Sequence, residues 1–409
     1  TTNVSWRGTN DASYNGSFES ITRFLPTEKG VNFDMHIQPT EFALADTLWN
    51  ISSGNISYIN KQLGMKGVSL VHNNQSLTIN GEIAPGHNDS IIAQLQNIDI
   101  DYILQLVKFD AVSFGGQATG QAVFTQKDGQ PQLHATLNVP HFTFNDGEMG
   151  NAHINANWNK HENRINLDAD MQLPHTSGHG THVDGYVSLA EKGLDLYIQT
   201  NHTRLDFLRR YIDGIFGNFN AEATGAIRLY GPFKKLDFDG EVEATGNAKV
   251  MATGVTYHID KGKVLFTPGK FAFHNFALTD GRGGTGLANG ELRHKHLKNL
   301  QYDFDITAQR LLCYEQPQEP SLPFYSTTTG SGSIGISGYP GHLVANIIVE
   351  PCAPTTFTYN LGLQSAFSKD DRMIHFRATQ PDTLFIPNAT SQDVLADDDK
   401  DDDTGTDIQ

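Results

Sequence analysis

The sequence predicts an all-β protein, and three observations support this. Apolar and polar residues alternate with a period of two over many short stretches, for example 165–171 and 194–198. Those stretches end at clusters of Asn, Asp, Lys and Gly, which are typical of tight turns. Charged residues make up only 18% of the chain while glycine contributes 39 of 409 residues, a balance that favours strands and turns over long helices.

The alternating stretches predict antiparallel strands with one apolar and one solvated face. The same pattern recurs at 142–144, 154–158, 264–266 and 271–273, where the apolar positions are often aromatic. A single sheet of such strands must cover its apolar face, and no helical layer is predicted to do so. The sheet therefore either folds over a closed core or leaves a long apolar groove, and alternation alone favours the closed core.

Two segments depart from the alternation and predict short amphipathic helices. The first lies near 101–110, where apolar residues follow Asp101 as a candidate N-cap. The second lies near 206–217, behind Asp206, with apolar residues at helical spacing. These apolar residues are Ile103, Leu106 and Val107 in the first segment and Leu208, Tyr211, Ile212, Ile215 and Phe216 in the second.

The same segments reveal an internal repeat of about 105 residues. The motif at 101–103 returns at 206–208, and the Ala-Thr-Gly at 118–120 returns at 223–225, with Thr-Thr-Gly at 328–330 as the third copy. A proline-rich loop at 315–323 replaces the helix in that copy. The repeat predicts a partial first unit over 1–100, a second over 101–205, a third over 206–310, C-terminal strands over 311–392 and an acidic disordered tail over 393–409.

Composition excludes several functional classes. With 29 Lys+Arg against 46 Asp+Glu, the net charge of −17 disfavours nucleic-acid binding. No apolar run approaches the roughly 20 residues of a membrane span, and the first residue is Thr, so we expect a piece of a longer protein. Cys313 and Cys352 form no CxxC pair, which leaves either a disulfide or two free thiols.

One motif has the appearance of a catalytic site. Residues 178–185, Gly-His-Gly-Thr-His-Val-Asp-Gly, resemble the histidine signature of subtilisin-like proteases, with Asp168 and Asp170 upstream. The Gly-Thr-Ser nucleophile motif of such enzymes does not occur in the sequence. His175, His179 and His182 offer a metal-site alternative, but a polar hairpin loop is the favoured interpretation. We therefore predict a non-enzymatic protein with no cofactor and no metal.

The strand motifs, in their order along the chain, resemble those of a known protein family. The stretches 254–266, 276–281 and 286–292, followed by 324–325 and 332–338, are similar to the C-terminal region of the TamB translocation-and-assembly family, within the AsmA-like group. The stretches 41–51 and 73–81 resemble versions from Bacteroides-type bacteria. The resemblance covers roughly 30–390. This sequence differs in having no N-terminal anchor and in its acidic run at 397–403.

The resemblance implies a function and a location. Members are anchored in the inner membrane by an N-terminal helix, cross the periplasm and partner an outer-membrane barrel of the Omp85 class. They support assembly of outer-membrane proteins and autotransporters, protein secretion, and phospholipid transport between the two membranes. Their clients would be phospholipid or unfolded outer-membrane proteins. Their sheet is curled into a taco-like groove with an apolar interior.

With the resemblance, an open groove becomes the favoured prediction over a closed core. The alternative is an extracellular β-solenoid or adhesin-type binding protein with a closed core. The residues predicted to line the groove for lipid or client are Trp158, Leu167, Leu196, Ile198, Phe266, Phe271, Phe273, Phe276 and Leu278.

Overall fold

The structure is a computed structural model, and it confirms the all-β prediction. It describes residues 2–359 and 407–408, apart from 8–14, 28–29, 45–46, 88, 103–112, 128–129, 161–162, 175, 177, 189, 213–215, 252, 297 and 318–323. Of the described residues 82% are in strands and 3% in helices. Such a ratio agrees with the period-two alternation along the chain.

The strands are numbered in chain order. The N-terminal strands are β1 (Thr2–Arg7), β2 (Asn15–Thr27), β3 (Gly30–Ile37), β4 (Thr40–Leu44), β5 (Thr47–Ile51), β6 (Gly54–Ile59), β7 (Gln62–His72), β8 (Gln75–Ile83) and β9 (Ser90–Asp99). The middle strands are β10 (Phe114–Gly115), β11 (Gln117–Lys127), β12 (Gln130–Phe144), β13 (Gly147–Asn159), β14 (Arg164–Gln172), β15 (Gly180–Ser188), β16 (Gly193–Arg204) and β17 (Phe216–Pro232). The remaining strands are β18 (Asp237–Val250), β19 (Thr256–Thr267), β20 (Lys270–Thr279), β21 (Thr285–Lys295), β22 (Lys298–Gln316), β23 (Phe324–Tyr339), β24 (His342–Tyr359) and β25 (Asp407–Ile408).

The chain forms two compact units. The first comprises residues 1–248 and 263–268, and the second comprises 249–262 and 269–409. In the first unit, β7, β8, β9 and then β11 to β17 pair in chain order as an open antiparallel meander. Strand β2 reaches β7 by two routes, through β3 and β6 and through β4 and β5.

The second unit is also a meander. Strands β20 to β24 pair antiparallel in chain order. The two residues of β25 pair in parallel with Val344 and Ala345 of β24. The rest of the predicted acidic tail lies outside the described residues, as does the core of the proline-rich loop at 318–323. Within the described residues, the structure contains no helix of the length and apolar character that crossing a membrane requires.

Five residues in strand interiors adopt left-handed backbone conformations and form β-bulges. Their φ angles lie between 49° and 54°, and the strand register shifts at each of them. The bulged N–H group of each donates to a side-chain oxygen on the next strand, so the group left out of the ladder is still satisfied. The pairs are Asn97 with Thr119 (3.0 Å), His141 with Asn151 (3.3 Å), His202 with Thr224 (2.9 Å), Asn275 with Asn289 (2.9 Å) and Arg310 with Ser331 (2.9 Å).

Two of the five bulges keep the spacing of the sequence repeat. Asn97 and His202 are 105 positions apart, and so are their partners Thr119 and Thr224. In the third copy the bulge lies at Arg310, 108 positions after His202, and its partner Ser331 lies 107 positions after Thr224. Ser331, rather than the Thr329 aligned from sequence, therefore has the role of the two threonines. The unit boundaries inferred from the repeat stay a prediction.

Removing one bulge acceptor tests how much these bonds contribute. Thr224→Val keeps the shape of the side chain but leaves the N–H of His202 without its 2.9 Å acceptor. We expect the free energy of unfolding to fall by about 1 kcal/mol, the usual net value of one such hydrogen bond. Thr224→Ser retains the hydroxyl and is the matched control. Urea unfolding of both variants measures the difference, and an equal loss in both would contradict a role for the hydroxyl.

The two predicted amphipathic helices are not confirmed. Asp206–Leu208 form a 3-10 turn and Arg209–Ile212 form a single helical turn, α1, while Phe216 already begins β17. Asp206 lies inside the turn and pairs with Arg204 and Arg209, so it does not act as an N-cap. Of the first predicted helix, near 101–110, Asp101 and Tyr102 are helical, and residues 103–110 lie outside the described part of the chain.

Fully buried apolar residues cluster beside the bulges. In the first unit the cluster is Ala118, Val139, Phe142, Ala152, Ala169 and Met171. In the second it is Val255, Tyr257, Leu278, Ala308, Leu311, Leu312, Cys313 and Ile334.

Polar groups anchor the second cluster. The Tyr257 hydroxyl donates to the Leu312 carbonyl at 2.8 Å, and burial raises the pKa of Tyr257. Burial alone would raise the pKa of Asp280, but N–H bonds from Leu312, Arg282 and Gly284 at 2.7–2.9 Å lower it below its usual value. The polar groups of Tyr257 and Asp280 at this cluster therefore all have hydrogen-bond partners.

Candidate apolar binding face

Three rows of apolar residues run across ten strands of the first unit. Each row takes one residue from each of β7, β8, β9 and β11 to β17. Every residue in a row is the cross-strand partner of the residue that follows it. Nine steps of about 4.8 Å make each row roughly 43 Å long, and neighbouring rows lie two residues apart. The first row is Leu70, Leu77, Leu95, Gly120, Leu137, Ile154, Ala169, Val183, Ile198 and Ile227; the second is Val68, Ile79, Ala93, Ala122, Ala135, Ala156, Leu167, Gly185, Leu196 and Leu229; the third is Met65, Gly81, Ile91, Phe124, Leu133, Trp158, Ile165, Val187, Leu194 and Gly231.

We call these thirty residues the first apolar face. None of them carries a polar side chain apart from the indole N–H of Trp158. Val68, Ile91 and Ala169 are buried, Leu133 is exposed, and all the others are half-buried. Residues of a closed sandwich core would be almost fully buried. The face therefore retains solvent-accessible apolar surface along its length.

The opposite face of the same strands is polar. One of its rows runs through Thr78, Gln94, Gln121, Thr136, Asn155, Asp168, Asp184, Tyr197 and Arg228. Arg228 makes two hydrogen bonds to Asp195, at 2.7 and 2.8 Å, and its guanidinium lies 4.8 Å from the ring centre of Tyr230. The contrast between the two faces is what the period-two alternation predicts.

The second unit carries a comparable face on β20 to β24. It consists of four cross-strand rows of five residues each. Aromatic rings from neighbouring strands meet here: the ring centres of Phe273 and Phe304 are 5.1 Å apart, across Gly290. The rows of this second apolar face are Phe271, Leu292, Tyr302, Gly338 and Leu343; Phe273, Gly290, Phe304, Ile336 and Ala345; Phe276, Ala288, Ile306, Ile334 and Ile347; and Leu278, Gly286, Ala308, Gly332 and Val349.

A bulge decides which β20 side chains share the second face. Strict alternation would place Phe271 and Phe273 on one face and Phe276 and Leu278 on the other. Asn275, at φ 54°, inserts one extra residue and returns all four to the same face. The ring centres of Phe273 and Phe276 are 5.5 Å apart as a result.

Eight of the nine predicted groove residues lie on these two faces. Trp158, Leu167, Leu196 and Ile198 belong to the first face, and the four residues of β20 belong to the second. Phe266 is half-buried and its ring centre is 6.1 Å from that of Phe238, outside the rows. Seven of the nine are half-buried, while Phe276 and Leu278 are buried at 8% and 6% exposure.

Comparison with protein families, curated proteins and solved structures finds no match for this chain. Its function must therefore be argued from the two faces themselves. Sequence reasoning missed most members of the rows, although the alternation at 303–306, 333–336 and 226–229 carries the same signal as the stretches it used.

His182 and Asp184 of the protease-like motif lie on the polar face, whereas Val183 and Gly185 belong to the first apolar face. His182 Nδ1 is 2.8 Å from Asp170 Oδ1, and its Nε2 is 3.9 Å from Asp184 Oδ1, so both ring nitrogens face carboxylates. His179 stacks on His202 with ring centres 4.6 Å apart. Within the described residues no group of three or more His, Cys, Asp or Glu could hold a metal ion, and His175 lies outside them.

The hydrogen bond from His182 to Asp170 predicts a pH dependence. That bond, with the charges of Asp168, Asp170 and Asp184, raises the pKa of His182 above its usual 6.5. The stabilisation that this hydrogen bond gives to the folded state is therefore complete below pH 6.5. It is lost as the pH rises through the folded-state pKa of His182. Both partners are partly exposed, so the effect is a few tenths of a kcal/mol. NMR titration should show a raised His182 pKa in the wild type and a lower pKa in Asp170→Asn; an unchanged value would contradict the assignment.

The two cysteines are free thiols. Cys313 is buried in the second core cluster and Cys352 is half-buried on β24. Burial raises the pKa of Cys313, which keeps it protonated and unreactive.

Proposed function

We propose that this chain is a non-catalytic segment of a TamB-like translocation and assembly module, located in the periplasm and anchored to the inner membrane in the full-length protein. Each apolar face would line a groove within its own unit that shields acyl chains or an unfolded strand from water. In this role it supports outer-membrane protein and autotransporter assembly, protein secretion, or phospholipid transport between the inner and outer membranes. Its partner would be an outer-membrane barrel of the Omp85 class.

The observation that carries the proposal is the half-buried state of the first apolar face. Twenty-six of its thirty residues are neither buried nor exposed. A hydrocarbon chain lying on such rows gains roughly 25 cal/mol for each Å² of apolar surface removed from water. The rows offer almost no polar partner, which suits an apolar ligand better than a polar one.

Curling of the sheet is part of the proposal. Bulges increase local twist and bend the strand that carries them. Asn97, His141 and His202 place such bends along one side of the first face, where the buried cluster also lies. A sheet bent along that line would have a taco-like cross-section with the rows inside.

A closed-core solenoid or adhesin is the alternative. It would require a further layer over the first face, because within the described residues the rows are only half-buried. Binding of a partner protein would then replace lipid or client shielding as the function.

The experiment uses the full-length protein in the cells that make it. Leu196→Asp and Phe273→Asp each place a carboxylate on one apolar face, and we expect both to weaken outer-membrane integrity and client assembly. Gln199→Asp and His274→Asp are the matched controls, since both residues are exposed and lie on the same two strands. Normal membrane integrity and client assembly in both face variants would contradict the proposal.

A further inference from the structure

Two neighbouring hairpin tips in the first unit expose apolar side chains. One tip joins β2 to β3, and the other joins β6 to β7. The Asn60 N–H donates to Asn32 Oδ1 at 3.1 Å, which links the two tips. We call residues 21–27, 30–34 and 56–63 the paired tips; residues 28 and 29 lie outside the described part of the chain.

The exposed side chains lie on both faces of the sheet. Phe24 (62% exposed) and Val31 (55%) lie on the side of the apolar rows, because Phe24 pairs with Phe33, which pairs with Tyr58. Ile21 (55% exposed), Leu25 and Ile59 lie on the other side. An occupant of the groove would contact one face only. Exposure on both faces instead suits an apolar medium that surrounds the tips.

Charge and aromatic content point to the same medium. Of the charged residues in the paired tips, Arg23 and Lys61 outnumber Asp34, whereas the whole chain carries −17. Aromatic side chains accompany them, and the rings of Phe33 and Tyr58 stack with centres 6.1 Å apart. Apolar and aromatic residues flanked by cations are typical of elements that lie at an anionic membrane surface.

We propose that the paired tips insert into the boundary between headgroups and acyl chains of an anionic phospholipid bilayer. The first unit would thereby dock on a membrane surface through these tips. The contact uses side chains outside the thirty residues of the first face, so it stands whether or not the groove carries lipid.

Vesicle sedimentation of the purified chain tests the proposal. The wild type should bind vesicles of phosphatidylethanolamine and phosphatidylglycerol at 3:1, and bind phosphatidylcholine vesicles more weakly. Phe24→Ser with Leu25→Ser should lower binding at least tenfold. Ile348→Ser, at a residue 69% exposed on β24, is the matched control and should bind like the wild type. Failure of the wild type to bind, or equal binding by the tip variant, would overturn the proposal in favour of a protein partner.

A second measurement does not depend on removing apolar residues. Tryptophan fluorescence of Phe24→Trp should be quenched by phospholipids brominated on their acyl chains. Quenching of the fluorescence of Ile348→Trp should not exceed that of the wild type. Absence of extra quenching at position 24 would overturn the proposal. Leu196→Asp separates the two functions, because it should lose groove binding while its sedimentation with vesicles is unchanged.

Discussion

Leu196→Asp is expected to weaken binding of an apolar fluorophore to the purified chain at least tenfold. Leu196 lies in the middle row of the first apolar face, between Gly185 and Leu229. A ligand covering this position would have to strip water from the new carboxylate, which costs several kcal/mol unless the charge is paired. Because Leu196 is only half-buried, the folded protein itself can keep the carboxylate partly hydrated. Fluorescence titration measures the affinity, and circular dichroism checks the fold.

The control lies on the same strand. Gln199 is exposed on the opposite face and pairs with His182. Gln199→Asp adds the same charge to β16 and should bind the fluorophore like the wild type. Equal affinity of Leu196→Asp and the wild type, or equal losses in both variants, would contradict binding on the rows.

Deletion of Ala277 is expected to destabilise the second unit by about 2–5 kcal/mol, the usual cost of removing one buried leucine side chain. The bulge at Asn275 is what places Phe276 and Leu278 on the apolar face. Ala277 is exposed on the other face; without it Leu278 moves into the position of Ala277 and turns to the polar face, and Thr279 takes the position of Leu278. Thermal unfolding and limited proteolysis of the purified chain measure the effect.

Three changes at Asn275 serve as controls. Deletion of Asn275 removes the extra residue of the bulge but leaves Phe276 and Leu278 on the apolar face, so it should cost less than deletion of Ala277. Asn275→Gly keeps a residue that adopts positive φ readily, so it should stay within about 1 kcal/mol of the wild type. Asn275→Val should cost about 1–2 kcal/mol because a β-branched residue resists the left-handed conformation. An unchanged melting temperature after deletion of Ala277, or equal losses in the two deletion variants, would contradict this placement of the β20 side chains.

Alternation was sufficient to predict the strands and their two-sided character. The stretch 194–198, for example, gives three apolar side chains that all fall on the first face. The bulges were not predicted, because Asn97, His141, His202 and Arg310 carry no fixed sequence signature for positive φ as a glycine would. The prediction placed Phe271 and Phe276 in one groove, and it is the bulge between them that makes this possible.

The second predicted helix is shorter than expected for a physical reason. The apolar spacing from Leu208 to Phe216 suggested two helical turns, but Phe216 is already a strand residue and α1 spans only Arg209–Ile212. So short a helix gains little from its own hydrogen bonds, and packing decides its length. The rings of Phe207 and Phe144 lie 5.3 Å apart, which anchors the turn to the end of β12.

Whether an apolar row is covered cannot be read from alternation, because open and closed sheets need the same pattern. The difference appears only in the burial of residues such as Trp158 and Leu167, which are half-buried in the folded chain. That is tertiary information, set by what packs above the sheet rather than by the strand itself.

Native mass spectrometry of the purified protein, followed by lipid extraction, tests the groove most directly. We expect phospholipid to co-purify with the wild type and with Gln199→Asp, and to be lost from the double variant Leu196→Asp, Phe273→Asp. Folded charge states in all three proteins exclude simple unfolding. A lipid-free wild-type mass, together with no uptake of phospholipid from vesicles, would contradict a lipid-carrying groove.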